Sequence, residues 1–209
     1  MNESNAEPSM RELDVRQASW PSVVGFVSIV YAIIALFSNV VGMAAPFLMP
    51  VGLRMAGVDM EPDMGLPSWM STLTLVFGVL GILLAILLVV GAIGLIRRSA
   101  SGVALMKLWS LLAVSMAVLA IVFGFFSIEQ NIDLQLEIQT AFQDLIREQN
   151  PDDPEGAIRS AGLDQDEESM KEASIRNLAV IGTMPLVYPL LLGVFLTSKR
   201  RMQEVGAWN

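Results

Sequence analysis

Four stretches of this chain contain no Asp, Glu, Lys or Arg: residues 17–53, 64–96, 108–128 and 177–198. A helix needs about 20 apolar residues to cross the hydrocarbon of a bilayer, and each stretch is at least that long. One such run could sit in a soluble core; four predict an all-α integral membrane protein, a four-transmembrane-helix bundle. Composition agrees, with 54% hydrophobic residues, 16% charged residues and a mean hydropathy of +0.57, well away from the balance of soluble domains.

The leader, 1–19, sets Glu3, Glu7, Glu12 and Asp14 against Arg11 and Arg16 and reads as a polar cytoplasmic tail. Trp20 and Pro21 open the first span, 20–45, because tryptophan suits the interface and proline the first helical turn. A secretory signal has a short basic leader and an apolar run of roughly 7–15 residues. Here the leader is long and acidic and the run is longer, so an uncleaved anchor is expected. A short Met-rich outer loop, 46–71, leads to span two, 72–96. A basic cytoplasmic turn, 97–102, joins it to span three, 103–126. An acidic outer loop, 127–177, precedes span four, 178–198, and a basic cytoplasmic tail, 199–209, closes the chain. Lysine and arginine close to the spans set orientation. Arg11, Arg16, Arg97, Arg98, Lys107, Lys199, Arg200 and Arg201 fall on one side, and Arg54 and Arg176 on the other. Both termini are therefore expected in the cytoplasm, across a plasma membrane of the bacterial type.

Inside lipid, helices associate through close packing of small residues rather than through the hydrophobic effect. Span one places Gly25, Ser28, Ala32, Ala35, Asn39 and Gly42 at alternating spacings of three and four. Span two does the same with Ser71, Thr74, Gly78, Gly81, Ala85, Leu88 and Ala92, and span three with Ser110, Ala113, Ala117, Ala120 and Gly124. A seven-residue repeat keeps one face toward a partner helix, so these seams are expected to be packed interfaces, with Asn39 hydrogen-bonding across helices or, as the lesser alternative, lining a site. In span four, Pro185 and Pro189 bracket Tyr188 and predict a kink.

The chemistry available is narrow. There is no cysteine and no histidine, which removes thiolate chemistry, the usual general base and the commonest transition-metal ligand. No span contains Asp, Glu or His, so intramembrane hydrolysis has no acid–base pair. Six methionines (Met43, Met49, Met55, Met60, Met64, Met70) sit in or beside the first loop; they could suit Cu(I) but read better as interfacial filler. The acidic groups Asp59, Glu61, Asp63 and Asp164, Asp166, Glu167, Glu168 lack the central glycine and terminal glutamate of an EF-hand loop. No catalytic, cofactor or metal site is expected. A net charge of −8 argues against nucleic acid, whose phosphates need clustered cations.

Between residues 127 and 177 thirteen acids face four bases, a net of −9. Ile138, Phe142 and Leu145 fall at helical spacing among polar residues, the pattern of an amphipathic helix. Nothing between Phe126 and Ile128 marks a break. Asn150–Pro151 ends this helix, Asp153–Pro154 starts a short one, and a last helix from about Asp166 should run straight into span four. Spans three and four are thus expected to extend into an extracytoplasmic helical hairpin. Its stripe Ile138, Phe142, Leu145 either packs on Ile158, Leu163 and Met170 or forms an interaction surface. The layout of a small first and a large second outer loop is similar to that of tetraspanins in topology alone, since their Cys-Cys-Gly motif is absent. The expected role is a non-enzymatic accessory, scaffold or interaction protein whose partners are the lipid bilayer and another protein or a second copy. The alternatives are a small transporter or channel component, or a sensor of an outer-face ligand or divalent ion.

Overall fold

The computed structural model describes residues 19–55 and 68–208. The leader up to residue 18, and the centre of the Met-rich loop with Asp59, Glu61 and Asp63, lie outside the described residues. Of the described residues 88% are helical and none is in a strand. The helices, in chain order, are α1 Trp20–Met55, α2 Ser68–Ile96, α3 Ala100–Phe126, α4 Ile128–Gln149, α5 Pro154–Ser160, α6 Glu167–Ile181, α7 Met184–Thr197 and α8 Lys199–Gly206. Four segments are long and apolar enough to cross a membrane: Trp20–Ala45, Trp69–Ile96, Ala100–Phe126 and Glu167–Thr197. That makes the chain an all-helical protein suited to integral membrane placement.

The chain forms two compact units. The first contains residues 19–37, 81–115 and 186–208. Its core joins Ala32 of α1, Leu88 and Leu95 of α2, Val103, Met106 and Trp109 of α3, and Leu192 and Leu196 of α7. Burial follows the alternating spacing. Gly81, Ala85, Leu88, Ala92 and Leu95 are all buried on α2, and Pro21, Gly25, Ser28 and Ala32 on α1. Small residues are required where backbones meet: a Cβ on Gly25 would lie 2.5 Å from Ile96 Cγ1 and 3.0 Å from the Ala92 carbonyl. The closest approach is at the α2–α3 turn, where Gly102 rests on Gly94 and a Cβ there would stand 2.6 Å from the Leu95 amide nitrogen. This turn closes by Ser99 N–H donating to Gly94 O and Arg98 N–H to Leu95 O, both at 2.9 Å, with Arg98 at φ 56°. Arg98 thus takes the left-handed cap position that glycine usually fills.

The second unit contains residues 38–55, 68–80 and 116–185. Here α4 packs against α5 and α6, burying Ile132, Ile158 and Met170. Asp153 caps α5 by accepting from Gly156 N–H at 3.0 Å, and Asp166 caps α6 by accepting from Ser169 N–H at 3.1 Å. The side chain of Met43 covers Gly78, that of Leu178 covers Gly124, and Phe77 meets Phe123 edge-on at 5.7 Å.

Three details differ from the sequence expectations. Helix α1 continues to Met55 through Pro46 and Pro50, since each proline forgoes one backbone donor without itself ending a helix in an apolar setting. Between α3 and α4, Ser127 departs from helical geometry, although Asn131 N–H still donates to Ser127 O at 3.0 Å. Its hydroxyl donates back to Phe123 O at 2.8 Å, the competition with backbone bonding that lets serine bend a helix. Helix α6 does not run into α7: Gly182 and Thr183 interrupt it. Pro185 sits in the first turn of α7, where a missing N–H costs nothing, so the break falls ahead of it rather than around Tyr188.

Candidate functional site

Three arrangements of side chains carry more than packing, and each lies within one unit. The first, in the first unit, ties the start of α1 to α8. The Trp20 indole N–H donates to Glu204 at 2.7 Å, Arg201 donates to the same carboxylate at 2.8 Å, and Arg200 Nε reaches its other oxygen at 3.3 Å. The Arg201 guanidinium lies over the rings of Trp20 and Phe195 at 4.9 and 4.8 Å, and Trp208 stacks on Trp20 at 5.6 Å. Burial pushes the Glu204 carboxyl up. The Arg201 and Trp20 hydrogen bonds, the Arg201 charge and the Arg200 hydrogen bond together outweigh it, leaving the group below the ordinary glutamate value. The local sequence explains the geometry: α8 starts directly after Ser198, which turns the chain back with extended backbone at ψ 139°, and Arg201 and Glu204 then share one face at i, i+3.

The second is a polar and aromatic cluster in the same unit. Ser28 Oγ and Tyr188 Oη are 2.6 Å apart, and Tyr31 stacks on Tyr188 at 4.5 Å with Trp109 edge-on at 5.9 Å. Buried Ser110 donates to Pro189 O at 2.6 Å. It reaches that carbonyl because residue 193 is glycine; a Cβ there would lie 2.5 Å from Ser110 Oγ. The cluster satisfies hydroxyls in an apolar interior, where an unpaired one is costly, and pins α7 beside its internal proline.

The third is the α4–α6 body with a neighbouring cleft, both in the second unit. Gln139 donates to Leu163 O at 2.7 Å and to Gln165 O at 3.1 Å, and Gln143 also donates to Leu163 O. Arg147 pairs with Asp144 at 3.0 Å and Glu155 at 3.6 Å, while Glu129, Asp133, Glu137, Glu148, Glu168 and Glu172 are exposed. A cleft of about 520 Å³ opens between α1, α2, α3 and the start of α4, with Asn39, Met43, Phe77, Met116, Phe123 and Asn131 on its walls. None of its lining side chains is ionisable.

The residues singled out by sequence divide among these places. Gly25, Ser28, Ala32, Gly81 and Ala85 are buried in the first unit, with Ala113 half-buried there. Gly78 is buried in the second unit, Asn39 and Ala117 are half-buried, and Ala120 is exposed along the cleft. Pro189 is buried inside α7 and Pro185 is exposed at its start. Ile138, Phe142 and Leu145 are each half-buried. Sequence reasoning missed Trp20, Arg200, Arg201 and Glu204 as a group, together with Tyr31, Trp109 and Gly193. Only the interfacial position of Trp20 and the basic tail signalled the first set. Among the described residues, no three His, Cys, Asp or Glu side chains converge in a group able to hold a metal ion. No protein family, no curated protein and no solved structure gives a match to this chain.

Proposed function

We propose that this chain is a non-enzymatic membrane scaffold that anchors through four spans and presents α4–α6 on the extracytoplasmic face to a basic protein partner. The observation that carries this reading is the charge partition. Residues 127–177 hold a net −9, and α4, α5 and α6 are already held against one another by Gln139, Gln143 and their buried apolar side chains. With Ile138, Phe142 and Leu145 half-covered, what this body offers outward is chiefly carboxylate. A preformed acidic surface steers and selects cationic partners and binds them in a salt-dependent way. Crosslinking in native membranes tests this. One protein rich in exposed Lys and Arg should be captured by the wild type, lost in Asp133→Lys/Glu137→Lys, and progressively lost as salt is raised. Equal capture by wild type and double variant would refute the acidic arm.

The cleft favours a second reading, a sensor of a small uncharged apolar ligand. Its mostly apolar wall with a few polar groups is the usual make-up of ligand sites. Capture of an apolar photoprobe at Met116 or Phe123, with no protein crosslinked to α4–α6, would favour this reading over the first.

A further inference from the structure

The contact between Trp20, Arg200, Arg201 and Glu204 has the construction of an anion site that the protein fills with its own carboxylate. Three donors converge on one two-oxygen anion: the indole N–H at 2.7 Å, Arg201 at 2.8 Å and Arg200 at 3.3 Å. Lys199, Arg200 and Arg201 follow one another in the sequence, and the one carboxylate hydrogen-bonded to Arg200 and Arg201 among the described residues is that of Glu204. We propose that this cluster is a headgroup site for an anionic phospholipid, whose phosphate exchanges with Glu204.

Placement supports a lipid rather than a soluble anion. Trp20 is the first residue of the first membrane-crossing segment, and Lys199 follows Thr197, the last residue of the fourth, by two positions. The donors therefore stand at the level of the headgroups, where tryptophan and basic residues concentrate. A phosphodiester presents two anionic oxygens much as a carboxylate does, and a guanidinium fork accepts either. Arg200 is 83% exposed, so an incoming phosphate meets it first, while Trp20, Phe195 and Trp208 supply an aromatic wall for the glycerol region. The run Lys199, Arg200, Arg201 selects against zwitterionic headgroups, whose ammonium it would repel. Exchange has a structural consequence. Arg201 and Glu204 tie α8 to the start of α1, so a bound anionic lipid frees Glu204 and loosens α8. The docking of the C-terminal helix then reports the anionic lipid content of the membrane.

The test uses the full chain in phosphatidylcholine nanodiscs with a phosphatidylglycerol fraction, and counts retained phosphatidylglycerol by native mass spectrometry. Glu204→Gln removes the competing charge and should raise retention roughly tenfold, the equivalent of one charge-assisted hydrogen bond. Arg200→Gln removes the exposed donor and should lower retention by a similar factor. The proposal stands only if retention moves in these opposite directions; any other pattern overturns it. If Glu204→Gln does not yield folded protein, Arg200→Gln decides alone, and undiminished retention overturns the proposal. Displacement of the lipid by millimolar inorganic phosphate as readily as by added phosphatidylglycerol would make this a site for a soluble anion, and so overturn it too.

Discussion

At the scale of single residues, glycine positions separate into those that touch a neighbouring helix and those that do not. A Cβ on Gly102 would press on the Gly94 backbone and on Leu95 N at 2.6 Å, atoms that cannot swing aside, whereas a Cβ on Gly42 meets nothing within 4 Å. Gly102→Ala is therefore expected to destabilise the protein by about 1–3 kcal/mol through overpacking. Gly42→Ala should leave stability unchanged or raise it by up to about 1 kcal/mol through helix propensity. Thermal unfolding of both variants in one detergent checks the contrast, and equal losses would show that the close approach of α2 and α3 carries no energetic weight. Of the residues that sequence spacing marked for the interfaces, Gly25, Ser28, Ala32, Gly78, Gly81 and Ala85 are buried, Asn39, Ala113 and Ala117 are half-buried, and Ala120 is exposed. That spacing gave no signal for Gly94 and Gly102, because their contact depends on the left-handed turn at Arg98 and not on any repeat along a helix.

At the scale of elements, α8 and α4 invite different perturbations. Glu204 has its proton affinity lowered by its partners. Its contribution to holding α8 is thus fully present above the ordinary glutamate value of about 4.3 and fades as pH falls through the lower value it has in the folded protein. Emission from Trp20 and Trp208 should accordingly change on acidification below about pH 4.3. In Glu204→Gln the emission should already resemble the acid form at neutral pH, and a neutral-pH spectrum identical to that of the wild type would exclude this role. For α4, the stripe Ile138, Phe142 and Leu145 is half-buried, and the helix packs against α5 and α6; we take the stripe to lie within that packing. Phe142→Asp should then speed amide exchange along α4, α5 and α6 together. Exchange confined to the residues around 142 would indicate a stripe that packs on nothing within the chain. Amphipathic spacing made α4 legible in the sequence, and Asp153 and Asp166 made the starts of α5 and α6 legible. The link between Trp20 and Glu204 was not, since 184 positions separate them and no periodicity encodes a tertiary ion pair. The break at Gly182–Thr183 was also hidden, because prolines in the sequence mark a disturbed helix without saying on which side it parts.

At the scale of the whole molecule, charge is the organising variable. Residues 127–177 are strongly acidic, while Arg97, Arg98, Lys199, Arg200 and Arg201 flank the ends of spans. The absence of native cysteine makes single-cysteine labelling a clean test of the proposed orientation. Cysteine in place of Glu155 should react with an impermeant maleimide applied to intact cells, and cysteine in place of Ser99 only after permeabilisation. The reverse pattern would invert the topology and with it the side on which α4–α6 is offered. Four charge-free stretches made the four long apolar segments readable from sequence alone, because a bilayer penalises a buried charge wherever it falls.

The meeting of Gly94 and Gly102 also bears on descent. An exposed apolar position such as Phe37, Leu83 or Val194 can exchange one apolar residue for another with little consequence, so most of these long apolar helices can drift until ordinary comparison sees only hydrophobicity. Positions 94 and 102 cannot drift, for no side chain fits between two backbones in contact, and residue 193 is bound in the same way while Ser110 donates to Pro189 O. Any distant cousin of this chain should therefore betray itself less by overall identity than by two glycines eight apart astride a basic turn. It should further show a later Pro-x-x-x-Gly facing a serine on the third span.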